Sequence, residues 1–400
     1  MSVVVVATLD TKGEEVAFVR EVLDARDLDV HLVDVGVLDE PEVEPDIPAA
    51  DVAEAAGTSL AALRESGDRG EAIAAMGEGA ATVARELHDS GPLEGILGLG
   101  GSGNTSIATE AMRALPYGVP KLMVSTMASG DVEPYVGATD VAMLYSVADV
   151  EGLNQLTRRV LSNAALAMAG MVEGGPDLDV EERPTVGITM FGVTTPCVQA
   201  AREHLEARGY ETIVFHATGT GGRAMEALVE QGVIDGVLDV TTTELADELV
   251  GGVLSAGPDR LTAAGERGIP QVVSVGAMDM VNFGPPDSVP EEFADRQFHE
   301  HNPQVTLMRT TPGENRELGE SLAEKVNAAT GPVAVALPLE GVSMLDAEGE
   351  DFHDPGADAA LFGAIREGLG PDVEVIEVEA GINDEAFARR LADRLDAFMS

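Results

Sequence analysis

The residues best suited to chemistry sit in GLGGSGNTS, 98–106, between the apolar run EGILGL and a helical stretch. Gly98 to Gly103 fit G-x-G-x-x-G, whose glycines permit positive φ and let main-chain N–H groups approach a phosphate. Asn104, Thr105 and Ser106 would open the following helix. Its N-terminus would offer unpaired N–H groups and positive dipole charge to an anion. The expected nucleotide ligands are Gly98, Gly100, Gly101, Ser102, Gly103, Asn104 and Thr105, with Ser125, Thr126 and Ser129 lining the same cleft. NAD fits this loop poorly, because its fingerprint normally follows the first strand of the fold. The next strand, KLMVSTM, ends in Ser125 and Thr126 where a ribose-binding acid is expected, and Asp131 comes only in the turn beyond. No G-x-x-x-x-G-K-[ST] is present, so this is not a Walker loop. The alternative to a phosphate cradle is a tight turn before a capped helix.

Other strand ends carry polar groups that suit the same cleft. In ATLDTKGEE (7–15), Asp10, Thr11 and Lys12 lie where a strand turns into a helix, and Lys12 stands out in a chain so poor in lysine. It suits a phosphate or carboxylate, and equally a helix cap with a solvated lysine. In MFGVTTPCVQAA (190–201), Thr194, Thr195 and Pro196 read as an N-cap with proline in the first turn. Cys197, the sole cysteine, is expected as a small buried residue; the competing reading is a thiol activated by the helix dipole. In HATGTGGRAMEAL (216–228), Gly219, Thr220, Gly221, Gly222 and Arg223 form a second plausible anion nest. The segments 276–287 and 299–311 read as irregular and place Asp279, Asn282 and Arg309. Arg309 is a candidate for an anionic substrate, with a structural ion pair as the alternative. His299 and His301 make only a weak metal signal, and no metal site is assigned. No G-x-S-x-G elbow or H-E-x-x-H is present.

The elements that must position these residues alternate between short β-rich runs and helical stretches, which argues for α/β architecture with mostly parallel sheets. The polar segment EGGPDLDVEERP (173–184) separates a helix at 150–172 from a strand at 185–191. The expected domains are an N-terminal lobe, 1–178, carrying the glycine-rich loop, and a C-terminal lobe, 183–400, with the first strand assignable to either sheet. Four segments recur in order: 3–10 with 185–192, 30–36 with 212–219, 93–101 with 234–242, and 119–131 with 269–279. This suggests two related Rossmann-like lobes with an inter-lobe cleft, although any two doubly wound halves share such a rhythm.

Lys plus Arg is 24 against 71 Asp plus Glu, a formal charge of −47, while 44% of residues are hydrophobic. The acids are dispersed among periodic apolar segments, so disorder is not the reading. Nucleic acid and anionic membrane surfaces are disfavoured, since both need clustered cations. Charge of this size self-repels in dilute buffer and is screened in multi-molar salt, so a salt-rich cytoplasm is expected. One cysteine allows no intrachain disulfide, and the N-terminus MSVVVVATLD does not read as a signal peptide.

ATLDTKGEE, GLGGSGNT, MVSTMASGDVEPYVGATD, GITMFGVTTPCV, FHATGTGGRAMEAL and DMVNFG together resemble one uncharacterised family over essentially the whole chain. That family includes the ATP-binding N-terminal domain of a plant tobamovirus-resistance protein. The resemblance implies two subdomains and a nucleotide site and supports the phosphate reading of Gly98 to Thr105; the expected ligand is ATP with Mg²⁺. The plant protein carries a further C-terminal domain, so its antiviral role is not implied for this chain. Three functions remain open: ATP-dependent phosphoryl or adenylyl transfer to a small acid, a non-catalytic nucleotide-responsive sensor, and an NAD-dependent or sugar-nucleotide enzyme. A homo-oligomer is expected.

Overall fold

The run SVVVVA, Ser2–Ala7, is buried at all six positions and forms β1, as expected of a parallel strand covered on both faces. It pairs in parallel with β2 (Asp29–Asp34) on one side and β3 (Ile96–Gly100) on the other. β4 (Lys121–Ser125) and β5 (Ala142–Tyr145) extend the sheet, giving the order β2-β1-β3-β4-β5. The helices Arg69–Ser90 and Ser102–Arg113 cover one face with Met76, Ala80, Ile107 and Met112. The helices Leu9–Asp24 and Gln155–Val172 cover the other with Val16, Val19, Leu161 and Met168. The last helix starts at Gln155, later than the expected 150, because Asn154 Oδ1 accepts from Leu156 N and Thr157 N and caps it there.

This computed structural model describes residues 1–174 and 183–400, which divide into two compact units, Met1–Val180 and Glu181–Ser400. The expected linker at 173–184 falls mostly outside the described residues, as does the expected lobe end at 178.

The C-terminal unit repeats the strand order. β6 (Thr185–Met190) lies between β7 (Glu211–His216) and β8 (Gly236–Thr241), and β9 (Gln271–Gly276) follows β8. After an excursion, β13 (Val333–Pro338) and β14 (Glu374–Val378) complete β7-β6-β8-β9-β13-β14. The excursion corrects the expectation of irregular structure at 276–287 and 299–311. It holds an antiparallel sheet of β10 (Met280–Phe283), β11 (Phe298–Asn302) and β12 (Val305–Arg309), in the order β10-β12-β11. These strands are only four or five residues long and interleave Asn, Thr and Arg with apolar residues, which hides their period. Among the described residues, no helix is long and apolar enough to cross a membrane.

Candidate functional site

In the N-terminal sheet the chain grows outward on one side of β1 through β2 and on the other through β3. Open α/β sheets bind ligands beyond the strand ends at such a reversal. A cavity of about 570 Å³ lies there, lined by the turn after β1, the turn after β3 and the helices between β2 and β3. Asp10, Thr11, Lys12, Gly101, Ser102, Gly103 and Asn104 all line it.

The turn after β3 is shaped by close packing. A Cβ at Gly98 would lie 2.6 Å from Met123 Sδ and 2.7 Å from Ala108 Cβ, so this glycine seats the helix on the sheet. Gly100 has φ +152°, a conformation side chains rarely adopt, and a Cβ there would press on Asn104 Cβ. Gly101 is the N-cap of Ser102–Arg113, and no side chain caps that helix. The first-turn N–H groups of Ser102, Gly103 and Asn104 are thus left with the dipole's positive end beside the cavity. Asn104 is buried, and its Nδ2 donates to Leu99 O at 2.7 Å and Val6 O at 3.3 Å, tying β3 to β1. Its Oδ1 has no partner among the described residues.

Two residues expected as ligands are instead structural. Thr105 and Ser125 are fully buried and share a hydrogen bond of 2.6 Å. Thr105 Oγ1 also bonds Gly101 O, and Ser125 Oγ accepts from Met127 N, so both hydroxyls fasten β4 to the loop from behind. Thr126 approaches Gly101, with Oγ1 3.9 Å from where a Cβ would stand. Ser129 and Asp131 are exposed beyond it, and Asp131 Oδ1 accepts from Glu133 N. Neither Thr105 nor any of Ser125, Thr126, Ser129 and Asp131 lines the cavity.

The turn after β1 brings the cation. The chain has three lysines, of which Lys121 is buried against Asp140 at 2.7 Å and Lys325 donates to Pro258 O. Lys12 is half-buried at the cavity with no partner among the described residues. Asp10 is committed elsewhere, its Oδ2 accepting from Leu38 N and Asp39 N. Asp34, at the end of β2, accepts from Leu9 N and Gly36 N; burial is the main cause that raises its pKa, and the Asp10 charge adds to it.

Sequence reasoning missed the rest of the wall. Arg64 and Arg69 line the cavity from either side of the turn Gly67–Asp68, and Arg64 Nε donates to Val37 O at 2.6 Å. Val35, Leu63, Ile73, Met76 and Ile107 supply an apolar side. The available signal was two arginines flanking an N-cap, Asp68, in a strongly acidic chain.

The candidates of the C-terminal unit make a different set. Gly219 N and Gly222 N both donate to Glu244 Oε1, at 2.7 and 3.0 Å, so the expected anion nest holds the protein's own carboxylate. Glu244 Oε2 accepts from Arg260 Nε at 2.7 Å, and Arg260 also grips Asp239 at 2.6 and 2.7 Å, all three being fully buried. Thr220 and Gly221 open the helix above this nest, and Arg223 donates to Ser255 O. Thr194 occupies the N-cap position of Thr195–Glu206, but its hydroxyl bonds Phe191 and Thr241 and does not cap the helix. Thr195 Oγ1 likewise returns to Phe191 O. Burial pushes the Cys197 thiol up to about 12, the opposite of an activated nucleophile.

Arg309 is enclosed rather than offered to a substrate. Its guanidinium donates to Phe352 O, Thr310 Oγ1, Asp346 Oδ1 and Asp358 Oδ1. Asp279 is fully buried beside this group and accepts from Ser343 Oγ at 2.7 Å; burial, with the Asp346 charge, raises it to about 7. Asn282 Nδ2 donates to Asp247 Oδ2 at 2.6 Å, and burial raises Asp247 to about 7. Among the described residues no group of three or more His, Cys, Asp or Glu is arranged to hold a metal ion.

Comparison with known proteins matches residues 1–176 to the N-terminal domain, and residues 183–399 to the C-terminal domain, of an uncharacterised protein family, UPF0261. A UPF0261 protein of Clostridium tetani is 51% identical over 98% of both chains, and one of Mesorhizobium japonicum is 48% identical over 98% of both. The tomato (Solanum lycopersicum) ToMV resistance protein Tm-1(GCR237) is 50% identical over 81% of this chain, which spans 44% of that protein. Among solved structures, a putative UDP-N-acetylglucosamine 2-epimerase of Listeria monocytogenes covers 94% of this chain and 99% of its own. At 12% identity and a TM-score of 0.24 that likeness bears on nothing further.

Proposed function

The chain belongs to the UPF0261 family, and we propose that it binds ATP in the cavity between the ends of β1 and β3. One observation carries this reading: the uncapped start of Ser102–Arg113 and Lys12, which has no partner among the described residues, face one cavity, in a protein where cations are scarce. The N–H groups of Ser102 to Asn104 and the Lys12 ammonium suit the phosphates, with Arg69 beside Gly103 as a further cation. Val35, Leu63, Ile73 and Met76 suit the flat face of a base, and the cavity is of the size that takes a small ligand. Mg²⁺ would come with the triphosphate, keeping several waters, as it does where phosphates supply most of its ligands. Asp149 and the hydroxyls of Thr11 and Ser102 are the oxygen groups on the wall that fit it.

In this reading, turnover is phosphoryl or adenylyl transfer to a small acid, and the chain contributes positioning and positive charge at the phosphates. A non-catalytic nucleotide sensor would use the same contacts. The test is calorimetric titration of ATP, ADP and NAD with Mg²⁺, in multi-molar KCl, on the wild type and Gly101→Asp. Gly101 has room for a side chain, its nearest neighbour atom standing 3.9 Å from a Cβ. The variant should therefore fold and carry a carboxylate into the cradle. ATP binding that the variant loses is the expected result; ATP binding that survives, or wild type that binds none of the three, contradicts the proposal.

A further inference from the structure

The wall of the N-terminal cavity divides in two at Gly103, where a Cβ would lie 3.6 Å from Arg69 Nη2 and 3.4 Å from Ile73 Cδ1. On the charged side Arg69 has no partner among the described residues, in a chain of 71 acids. It is the first residue of the helix Arg69–Ser90, where the positive end of the dipole disfavours a cation. The neighbouring Asp68 spends Oδ1 on capping that helix, through Gly70 N and Glu71 N. Arg69 also lies beside the uncapped start of Ser102–Arg113, which is positive as well, and Lys12 lines the same cavity. Positive groups gathered in this way repel one another until an anion lies among them.

The other side of the wall is apolar, with Val35, Leu63 and Met76 buried and Ile73 half-buried. Its backbone is committed. Val35 N donates to Ala7 O, Gly36 N to Asp34 Oδ1 and Leu38 N to Asp10 Oδ2, while Val37 O accepts from Arg64 Nε. Of the buried side-chain polar atoms on the wall, only Asn104 Oδ1 lacks a partner among the described residues, and Asn104 belongs to the first turn of Ser102–Arg113, on the charged side. Arg64 and Asp68 are exposed, so a hydrogen bond from either to a base competes with water.

Given the ATP site proposed above, we infer that it selects its ligand by the number of phosphates and not by the base, and so takes nucleoside triphosphates as a class, GTP as well as ATP. Adenine and guanine share a flat purine outline but differ at one edge, where N6 of adenine donates and O6 of guanine accepts. Strong discrimination comes from a buried polar group that the wrong ligand leaves unpaired, and an apolar wall has none to leave. Each phosphate removed instead takes away charge that Lys12, Arg69 and the helix start attract together.

The test is competition calorimetry with ATP, GTP, AMP and inorganic tripolyphosphate, each with Mg²⁺ in multi-molar KCl. On wild type, ATP and GTP should bind within about 10-fold of each other, and AMP more than about 10-fold more weakly than ATP. Arg69→Gln should bring AMP and ATP closer together and leave the ratio of ATP to GTP unchanged. Ile73→Ala should weaken ATP and GTP by the same factor, about 5-fold, and leave tripolyphosphate unchanged. Arg69 is exposed and Ile73 half-buried, and melting temperatures close to wild type would confirm that both variants fold. ATP that binds while GTP falls outside that range overturns the inference and leaves the ATP site standing. So does AMP that binds as well as ATP, or an Ile73→Ala loss confined to one base. Wild type that binds neither triphosphate overturns the ATP site itself, and this inference with it.

Discussion

β3 ends in Gly98-Leu99-Gly100, whereas the matching strand β8 ends in Asp239-Val240-Thr241, and the two sheets use the place between their first and third strands accordingly. In the C-terminal unit Asp239 draws in Arg260 and accepts from Thr189 Oγ1, while Glu244 fills the nest of Gly219 and Gly222. Thr194 and Thr241 bond each other across the remaining gap. Anion, cation and N–H donors are all present there, and all satisfy one another in the dry interior. In the N-terminal unit the glycines bring backbone alone, the helix is uncapped, and Lys12 is left without a carboxylate among the described residues. One strand order therefore carries a structural ion network in one unit and an uncapped helix start beside an open cavity in the other. Chemistry follows from the side chains at the reversal, not from the topology.

The largest effect should come from breaking the C-terminal network. Arg260→Met leaves Asp239 and Glu244 buried without their cation, and should cost about 3–5 kcal/mol in denaturant unfolding. Gly101→Asp should weaken ATP at least about 100-fold, or about 2.7 kcal/mol, while unfolding like wild type. Glu244→Ala should cost about 2 kcal/mol and turn the second nest into an anion site. Phosphate would then raise the melting temperature of that variant through Gly219 N, Gly222 N and Arg260, and leave that of Gly101→Asp unmoved; no selective shift would show that the two nests are not comparable. Lys12→Ala should weaken ATP about 10-fold, or about 1.4 kcal/mol, with no change in stability.

The smallest effect is on pH dependence. Asp247, raised to about 7 by burial, binds a proton in the fold that the unfolded chain releases nearer 4. Its contribution is therefore greatest below the unfolded pKa and is lost as pH rises from about 4 to about 7. Asp247→Asn removes that slope, since Asn282 can turn its unpartnered Oδ1 toward the new amide. The variant should gain on wild type between pH 5 and pH 8 in urea unfolding; parallel pH profiles would count against it.

Much of this architecture is legible in sequence, for stated reasons. Four valines in a row read as a buried parallel strand because both faces of β1 are covered. GLGGSG reads as a strand-to-helix turn because Gly98 and Gly100 are glycines for steric reasons local to that turn. What stayed hidden depends on distant partners. Thr105 and Ser125 look like ligands until their mutual bond, twenty residues apart, is seen. Nothing in HATGTGG announces that Glu244 will fill it, nor does VTLMRTT show that Asp346 and Asp358 will enclose Arg309. Arg64 and Arg69 escaped notice because the helices Leu60–Ser66 and Arg69–Ser90 bring them to the cavity from between β2 and β3.

We propose that the N-terminal reversal holds a nucleotide and that the C-terminal one does not, and hydrogen–deuterium exchange of the wild-type chain with and without ATP and Mg²⁺ separates the two. Slowed exchange in 8–12, 64–73 and 101–107, with 219–244 unchanged, is the predicted result. Protection centred on 219–244, or none in either region at saturating ATP, would contradict it.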